Sequence, residues 1–383
     1  MTGSSRADGL LAHFTARQET MVADLGELVT RESPSSDAAA VSSLATWLAA
    51  TLESRGVPAE RVAFEARGDG VVARLGAPTG GTLLLAHLDT VWPLGTAAAR
   101  PFHAGGSIAT GPGVFDMKAG IAVALAVLAS AAEGVVAPAR GVTLLLTPDE
   151  EVGSDATRER ILEEARRRDR VLVLEPSGDG GAAKVARKGT GLAVARFRGV
   201  PAHAGLEPEK GASALLELSR FALLADSVSD REAGTTVVPT LAAAGSAKNV
   251  VPAEAELTVD FRFWTAAEGD RVREALTAFT PLDSRVGVEV EAFVSRPPME
   301  STPASLELYR EARAAAAALG FGLPAARVGG ASDGNLTSAA GIPTLDGLGP
   351  RGGGAHARSE HVELDDLPRR AALLALLLEE EDR

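Results

Sequence analysis

Two histidines and a group of acids occupy, in this chain of 383 residues, the places where an open α/β sheet presents its ligands. His87-Leu88-Asp89 follows the apolar run Leu83-Leu84-Leu85, and Asp116 follows the turn Gly111-Pro112-Gly113. Asp149-Glu150-Glu151 follows Leu144-Leu145-Leu146, and Glu175 follows Leu172-Val173-Leu174. His356 adds a second imidazole on the glycine-rich stretch Gly352-Gly353-Gly354. Imidazole and carboxylate are good zinc ligands, and one shared carboxylate holds two ions about 3.5–4 Å apart. Two His and three carboxylates therefore point to a pair of zinc-like ions with Asp116 as the bridge. In a strand His87 and Asp89 share a face, so Asp89 can accept from the second ring nitrogen of His87, the support that metal-bound imidazoles usually have. If the backbone stays extended, Glu150 and Glu151 point to opposite sides, one toward metal and the other left as a base. Each piece alone has a plainer explanation, since acids favour the first turn of a helix and Glu175-Pro176 suits a turn. Gathered at the ends of apolar strands, however, these acids would repel one another in a poorly solvated cleft, and a cationic centre removes that conflict.

Such side chains need a scaffold. The runs 71–75, 82–86, 142–147 and 171–174 are short, apolar and bounded by Gly, Pro or Asp. They read as strands buried on both faces of a largely parallel sheet, and the helical segments between several of them predict an α/β domain with helices on both faces. Helices are predicted over 18–29 and 37–55, on either side of the Ser33-Pro34-Ser35-Ser36 break, and a buried helix over 120–132. That last stretch is short of the roughly 20 residues a bilayer crossing needs. From 187 to 295 the order becomes strand 192–198, helix 208–224, strands 235–242 and 254–263, helix 266–280 and strand 286–294. This βαββαβ succession is ferredoxin-like and predicts an inserted domain at 188–295 within a metal-binding catalytic domain of 1–187 and 296–383. Helix 305–319, strand 326–328, the run 342–344 and helix 366–378 return to the first pattern.

Composition narrows the partners. Lys and Arg number 38 against 51 Asp and Glu, a net charge of −13 that argues against nucleic-acid or anionic-membrane partners. The absence of cysteine removes thiolate metal sites, iron–sulfur clusters, disulfides and thiol nucleophiles together. Residues 1–21 lack the apolar core of a secretory signal, so a cytoplasmic location is expected. No serine nucleophile elbow is expected, and there is no phosphate-binding G-x-x-x-x-G-K-[ST] loop.

The motifs resemble those of the M20 metallopeptidases, in particular the glutamate carboxypeptidase-like branch. The resemblance rests on Leu84 to Pro93, Gly111 to Gly120, Thr147 to Ser154, Leu174-Glu175-Pro176 and Ala202-His203-Ala204-Gly205. It continues through Lys248 to Pro252, Asp260-Phe261-Arg262, Gly329 to Asn335 and His356 to Glu360, in order along nearly the whole chain. His361 departs from the tyrosine frequent at that place. The resemblance implies that His87 and Glu175 hold one metal, Glu151 and His356 the other, and that Asp116 bridges. It makes Glu150 the general base for the attacking water and Asp89 the residue that orients His87. His203 would stabilise the oxyanion, in relatives often from the partner subunit, and Asn249 and Arg262 would take the substrate's α-carboxylate. Arg296 either faces the substrate or is a solvated hinge arginine. The role of Ser332 and Asp333 is open, and His13 and His103 are expected at the surface. The implied protein is a homodimer with two Zn2+ per chain, Co2+ or Mn2+ substituting, and the insert serving as lid and dimerisation domain. Its substrate would be a small peptide or an N-acyl amino acid with a free carboxylate. The rivals are an N-acyl-amino-acid deacylase of the acetylornithine or succinyl-diaminopimelate type and a catalytically silent metal-binding protein.

Overall fold

Most of the apolar runs meet in one sheet of six strands, ordered Ala59–Phe64, Gly68–Leu75, Val142–Thr147, Thr82–His87, Arg170–Val173 and Thr344–Leu345. The computed structural model describes residues 3–379, and by its internal contacts the chain forms two units. The first comprises Met1–Ala186, Ser301–Val328 and Ser332–Arg383, and the second Arg187–Glu300 with Gly329–Ala331.

In the first unit the last four strands of the sheet are parallel, as the run pattern predicts. The run at 71–75 differs, because Gly68–Leu75 lies antiparallel to both of its neighbours. Only Glu65, Ala66 and Arg67 separate it from Ala59–Phe64, too few residues for the crossover that a parallel neighbour needs. Strand Ala59–Phe64 escapes sequence reading because no residue in it is fully buried and its pattern is mixed. Helix Ala119–Ala132 is buried over most of its length. Among the described residues only 114–132 is long and apolar enough to be considered for crossing a membrane, and 83% of that stretch is buried. Helix Ala38–Ser54 starts where expected, with the Asp37 side chain accepting from Ala40 N–H. Helix Gly3–Thr15 was not expected; Ala7, Leu10 and Phe14 supply its buried stripe. A second, small antiparallel sheet joins Gly352–Gly353, His361–Glu363, Ile108–Thr110 and His103–Gly105.

The second unit has the predicted βαββαβ order. Its antiparallel sheet runs Thr236–Ala244, Glu254–Phe263, Gly189–Arg198, Gly287–Arg296. Phe197, Phe221, Phe261 and Phe263 lie in its core, and Phe279 packs against it. The helix expected from 208 begins only at Ala214, since Pro208–Lys210 forms a separate turn and Ser213 caps the N–H of Leu216.

Candidate metal centre

Three adjacent parallel strands end at one edge of the first sheet, and each delivers part of the centre there. His87 is the last residue of Thr82–His87 and pairs in register with Thr147, just before Asp149-Glu150-Glu151. On the other side Leu85 pairs with Val173, two residues before Glu175. Asp116 comes from the turn preceding helix Ala119–Ala132. A Cβ on Gly120 would stand 2.2 Å from the carbonyl oxygen of Leu174, so glycine alone lets this helix approach the strand end that leads to Glu175. His356, at φ 60°, sits between the paired strands Gly352–Gly353 and His361–Glu363.

The two oxygens of Asp116 face different histidines. Oδ1 is 3.3 Å from His87 Nε2, and Oδ2 is 3.4 Å from His356 Nε2. Glu175 Oε1 lies 3.5 Å from His87 Nε2, and Glu151 Oε2 lies 3.1 Å from His356 Nε2. Ligand atoms each about 2.1 Å from a shared tetrahedral ion stand about 3.4 Å apart. In the two triads, His87–Asp116–Glu175 and His356–Asp116–Glu151, the imidazole stands at about that spacing from each carboxylate, and donors on His87, Asp116 and Glu151 also lie within 4.8 Å of one another. Glu150 adds a carboxylate oxygen within 4.8 Å of donors on His87 and Glu175.

Charge in the cluster leads to the same chemistry. Burial opposes charge on His87, but Asp116, Asp89 and Glu175 outweigh it and raise its pKa well above the ordinary imidazole range. Burial likewise works against the Asp116 carboxylate, yet His356 and His87 hold it well below the usual range. His356 is raised to about 9, first by its hydrogen bond to Asp116, against burial and with help from Glu151. Burial pushes Glu151 up to about 7, His87 and His356 opposing and Asp116 adding to it. Carboxylates that draw protons onto their imidazoles, and an acid whose ionisation burial opposes, mark a cluster short of positive charge. Divalent cations on these hard oxygen and imidazole donors supply it.

Asp89 does more than orient an imidazole. His87 Nδ1 lies 2.9 Å from the backbone oxygen of Asp89 and 3.4 Å from its carboxylate, so the closer acceptor is the main chain. The carboxylate itself accepts from the backbone N–H of Glu150 and of Glu151, both at 3.1 Å, and from Ser35 Oγ at 2.7 Å. It thereby starts a 3-10 turn at Glu150–Val152, and the extended backbone expected for these two acids does not occur. Asp149 is turned away, accepting from Thr157 Oγ1 and Ala156 N–H. Ser35 and Lys184 were not anticipated here. Lys184 Nζ is 3.9 Å from Glu175 Oε2, and its signal was a lysine within the buried strand Ala183–Arg187.

The other candidates lie in the second unit. His203 is exposed, and its Nδ1 accepts from the N–H of Gly205 and Leu206 at 3.1 and 3.2 Å. The neutral ring then carries its proton on Nε2 and presents a donor. Asn249 is exposed, and its backbone oxygen accepts from Ala204 N–H, which ties it to the His203 turn. Arg262 is not a buried, unpaired cation waiting for a carboxylate. Its Nε and Nη2 bind Asp260 at 2.9 Å each, and its side chain is 38% exposed. Arg296 is 6% exposed at the end of its strand, which excludes the solvated hinge arginine.

Two further expectations need adjustment. Gly330-Ala331-Ser332-Asp333-Gly334 does spell G-x-S-x-G, contrary to the expectation of no elbow. Ser332 is nevertheless fully buried, donates to Asp346 at 2.6 Å and accepts from Gly334 N–H, which leaves no exposed nucleophile. Asp333 accepts from Ser154 Oγ and Thr147 Oγ1, a structural network. His103 is exposed as expected, whereas His13 is half-buried against Ser130.

The model of peptidase family M20/M25/M40 matches residues 83–380. The chain belongs to this family. It is 31% identical over 382 residues to carboxypeptidase G2 of Pseudomonas sp. (strain RS-16), covering 97% of this chain and 92% of that protein. With succinyl-diaminopimelate desuccinylase of Methylobacterium sp. (strain 4-46) it shares 29% identity over 367 residues, 87% of this chain and 89% of that one. Among solved structures, aminopeptidase PepT from Bacillus cereus ATCC 10987 aligns with a TM-score of 0.78 at 22% identity, covering 94% of this chain and 98% of that one. Bacillus subtilis YXEP, described as a dinuclear metal-binding peptidase of family M20, aligns at 0.71 and 15% identity over 95% and 98% of the two chains. This M20 chain is a metal-dependent hydrolase of the peptidase and amidohydrolase type.

Proposed function

We propose that this M20 hydrolase cleaves the amide bond that joins an acyl or peptidyl group to a C-terminal amino acid with a free carboxylate, as a glutamate carboxypeptidase does. The observation that carries the reading is the divided carboxylate of Asp116, one oxygen toward His87 and the other toward His356, each triad completed by a glutamate. Two Zn2+ per chain fit this donor set, with Co2+ or Mn2+ as substitutes. His87 and Glu175 would hold one ion, His356 and Glu151 the other, and Asp116 both. When bound, such ions acidify the attacking water and polarise the scissile carbonyl.

The protein's own groups do the rest. Glu150 takes the proton of the attacking water and returns it to the leaving amine nitrogen. Asp89 holds the backbone of Glu150 and the ring of His87, so base and ligand keep a fixed spacing. His203 offers its Nε2–H to the developing oxyanion. Asn249 and Arg262 take the substrate's α-carboxylate, with Arg296 contributing to the choice of side chain. The resemblance supports these last assignments, together with a cytoplasmic homodimer and residues 188–295 as lid and dimerisation module in a catalytic domain of 1–187 and 296–383. The carboxypeptidase G2 relationship favours the peptidase reading, and the desuccinylase relationship favours the second reading, an N-acyl-amino-acid deacylase.

The test is chromatographic analysis of a panel of peptidyl and N-acyl amino acids, free and C-terminally amidated, with metal-loaded protein. Cleavage of peptidyl free acids at least about tenfold faster than of their amides is expected, from the worth of hydrogen bonds to a charged group. Cleavage of simple N-acyl substrates alone favours the second reading, and equal cleavage of acids and amides overturns both.

A further inference from the structure

We propose that Glu360 is a positioning residue for the metal centre, its carboxylate fastening the loop that carries Asp116 to the loop that carries His356. Glu360 is 1% exposed, and its two oxygens accept four N–H donors. Oε1 accepts from the backbone of Phe115 and Asp116 at 3.0 and 3.1 Å, and Oε2 from the backbone of Gly113 at 2.9 Å and the indole of Trp92 at 2.8 Å. The Arg100 guanidinium lies 4.1 Å over the Trp92 ring, with Nη2 3.7 Å from Glu360 Oε2. It also donates to the backbone oxygen of Ala357 at 3.3 Å. The backbone N–H of Glu360 closes onto that same Ala357 oxygen at 3.0 Å, which places the acid at the end of the turn that follows His356.

The arrangement asks for a carboxylate and for nothing else. A side-chain amide has one acceptor oxygen, so whichever way it is turned two of these N–H groups face an NH2. Strand pairing does not require the acid either, since His361–Glu363 and Ile108–Thr110 already share a ladder. What Glu360 secures is the backbone leading to Asp116. Asp116 and Met117, at φ/ψ of −110/96° and −130/34°, interrupt the helical geometry of Val114–Lys118, so regular helical bonding does not set the aspartate's direction. Because the two oxygens of Asp116 serve separate histidines, a small rotation of its backbone spoils both triads at once. Groups that orient metal ligands in this way typically contribute about 10- to 100-fold to metal affinity.

The inference rests on the reading of the cluster as a two-ion centre, and calorimetric titration of chelator-treated protein with Zn2+ separates the two. For the unmodified chain two binding events are expected; for Glu360→Gln, both weaken by about 10- to 100-fold, whereas His356→Ala weakens mainly one. The unmodified protein taking up no Zn2+ overturns the reading of the centre and this inference with it. Two ions bound equally tightly by the unmodified and Glu360→Gln proteins overturn this inference alone. So does a lowered melting temperature with unchanged Zn2+ affinity, because that is the mark of a merely structural acid. If Glu360→Gln does not fold, Trp92→Phe takes its place, removing one donor while keeping the carboxylate on three backbone N–H groups. A loss of about two- to tenfold at both sites is expected there, and unchanged affinity overturns the proposal.

Discussion

Acids at the strand ends of the first unit meet one another and two imidazoles, whereas Arg262 in the second unit meets an acid two residues away on its own strand. The first arrangement is drawn together from five separate stretches of chain and leaves negative charge in excess. The second is made within one strand and cancels its own charge. Burial sharpens the contrast, with Asp116 16% and Glu151 8% exposed at the side chain against 38% for Arg262 and 33% for Asp260. A cluster whose acids are largely buried and unbalanced, even with His356 51% exposed, depends on a strongly bound partner to be stable as built. A half-buried, balanced pair has its cation already shared when a ligand arrives.

The comparison breaks first at Asp116. Asp116→Ala removes the one carboxylate common to both triads, and elemental analysis is expected to fall from about two ions per chain to near zero, with activity lost. Retention of one ion at full occupancy would show that the triads are independent. The adjacent acids come next. Glu150→Gln is expected to keep its metal while kcat drops by about 10²–10⁴, the usual worth of general acid–base catalysis. Glu151→Gln is expected to lose metal instead, through the His356 triad. Equal metal loss in the two variants would contradict this division of roles and make Glu150 a ligand.

What the sequence made legible follows from which forces act locally. The ligand-bearing strand ends were readable because buried parallel strands are continuous apolar runs, and a polar residue just beyond each run stands out. The direction of the side chains at Glu150 and Glu151 was not, since a carboxylate 61 and 62 positions away sets the turn there. Ser35 joined the centre unannounced for the same reason, through a contact with Asp89 54 positions away, whereas Lys184 reaches Glu175 across a turn of chain only nine positions long. The antiparallel direction of Gly68–Leu75 turned on a three-residue link to a strand with no apolar signature. Ser332 shows the opposite failure, a local motif whose burial strips it of the chemistry the motif suggests. The partner of Arg262, by contrast, could have been read directly, because residues two apart on a strand point to the same side and Asp260 stands there.

That pairing gives the smallest and most discriminating expectation. Asp260 occupies the Nε and Nη2 edge of the Arg262 guanidinium, so an incoming α-carboxylate has to use the Nη1 side or displace the aspartate. A buried, unpaired arginine would reject an amidated substrate by roughly 10⁴–10⁵, as sites built around a single polar group do. A half-buried and already paired one is worth far less, about tenfold in KM on Arg262→Ala, at the lower end for a hydrogen bond to a charged group. Asp260→Asn keeps the shape of the pair but frees the fork and removes the competing charge. Exposed pairs of this kind are worth about 0–1 kcal/mol, so KM for the free acid is expected to fall by about two- to fivefold, with kcat and the KM of the amidated substrate unchanged. Should Asp260→Asn raise KM as much as Arg262→Ala does, Asp260 aims the arginine at the substrate instead of competing for it, and the second unit holds a prearranged clamp after all.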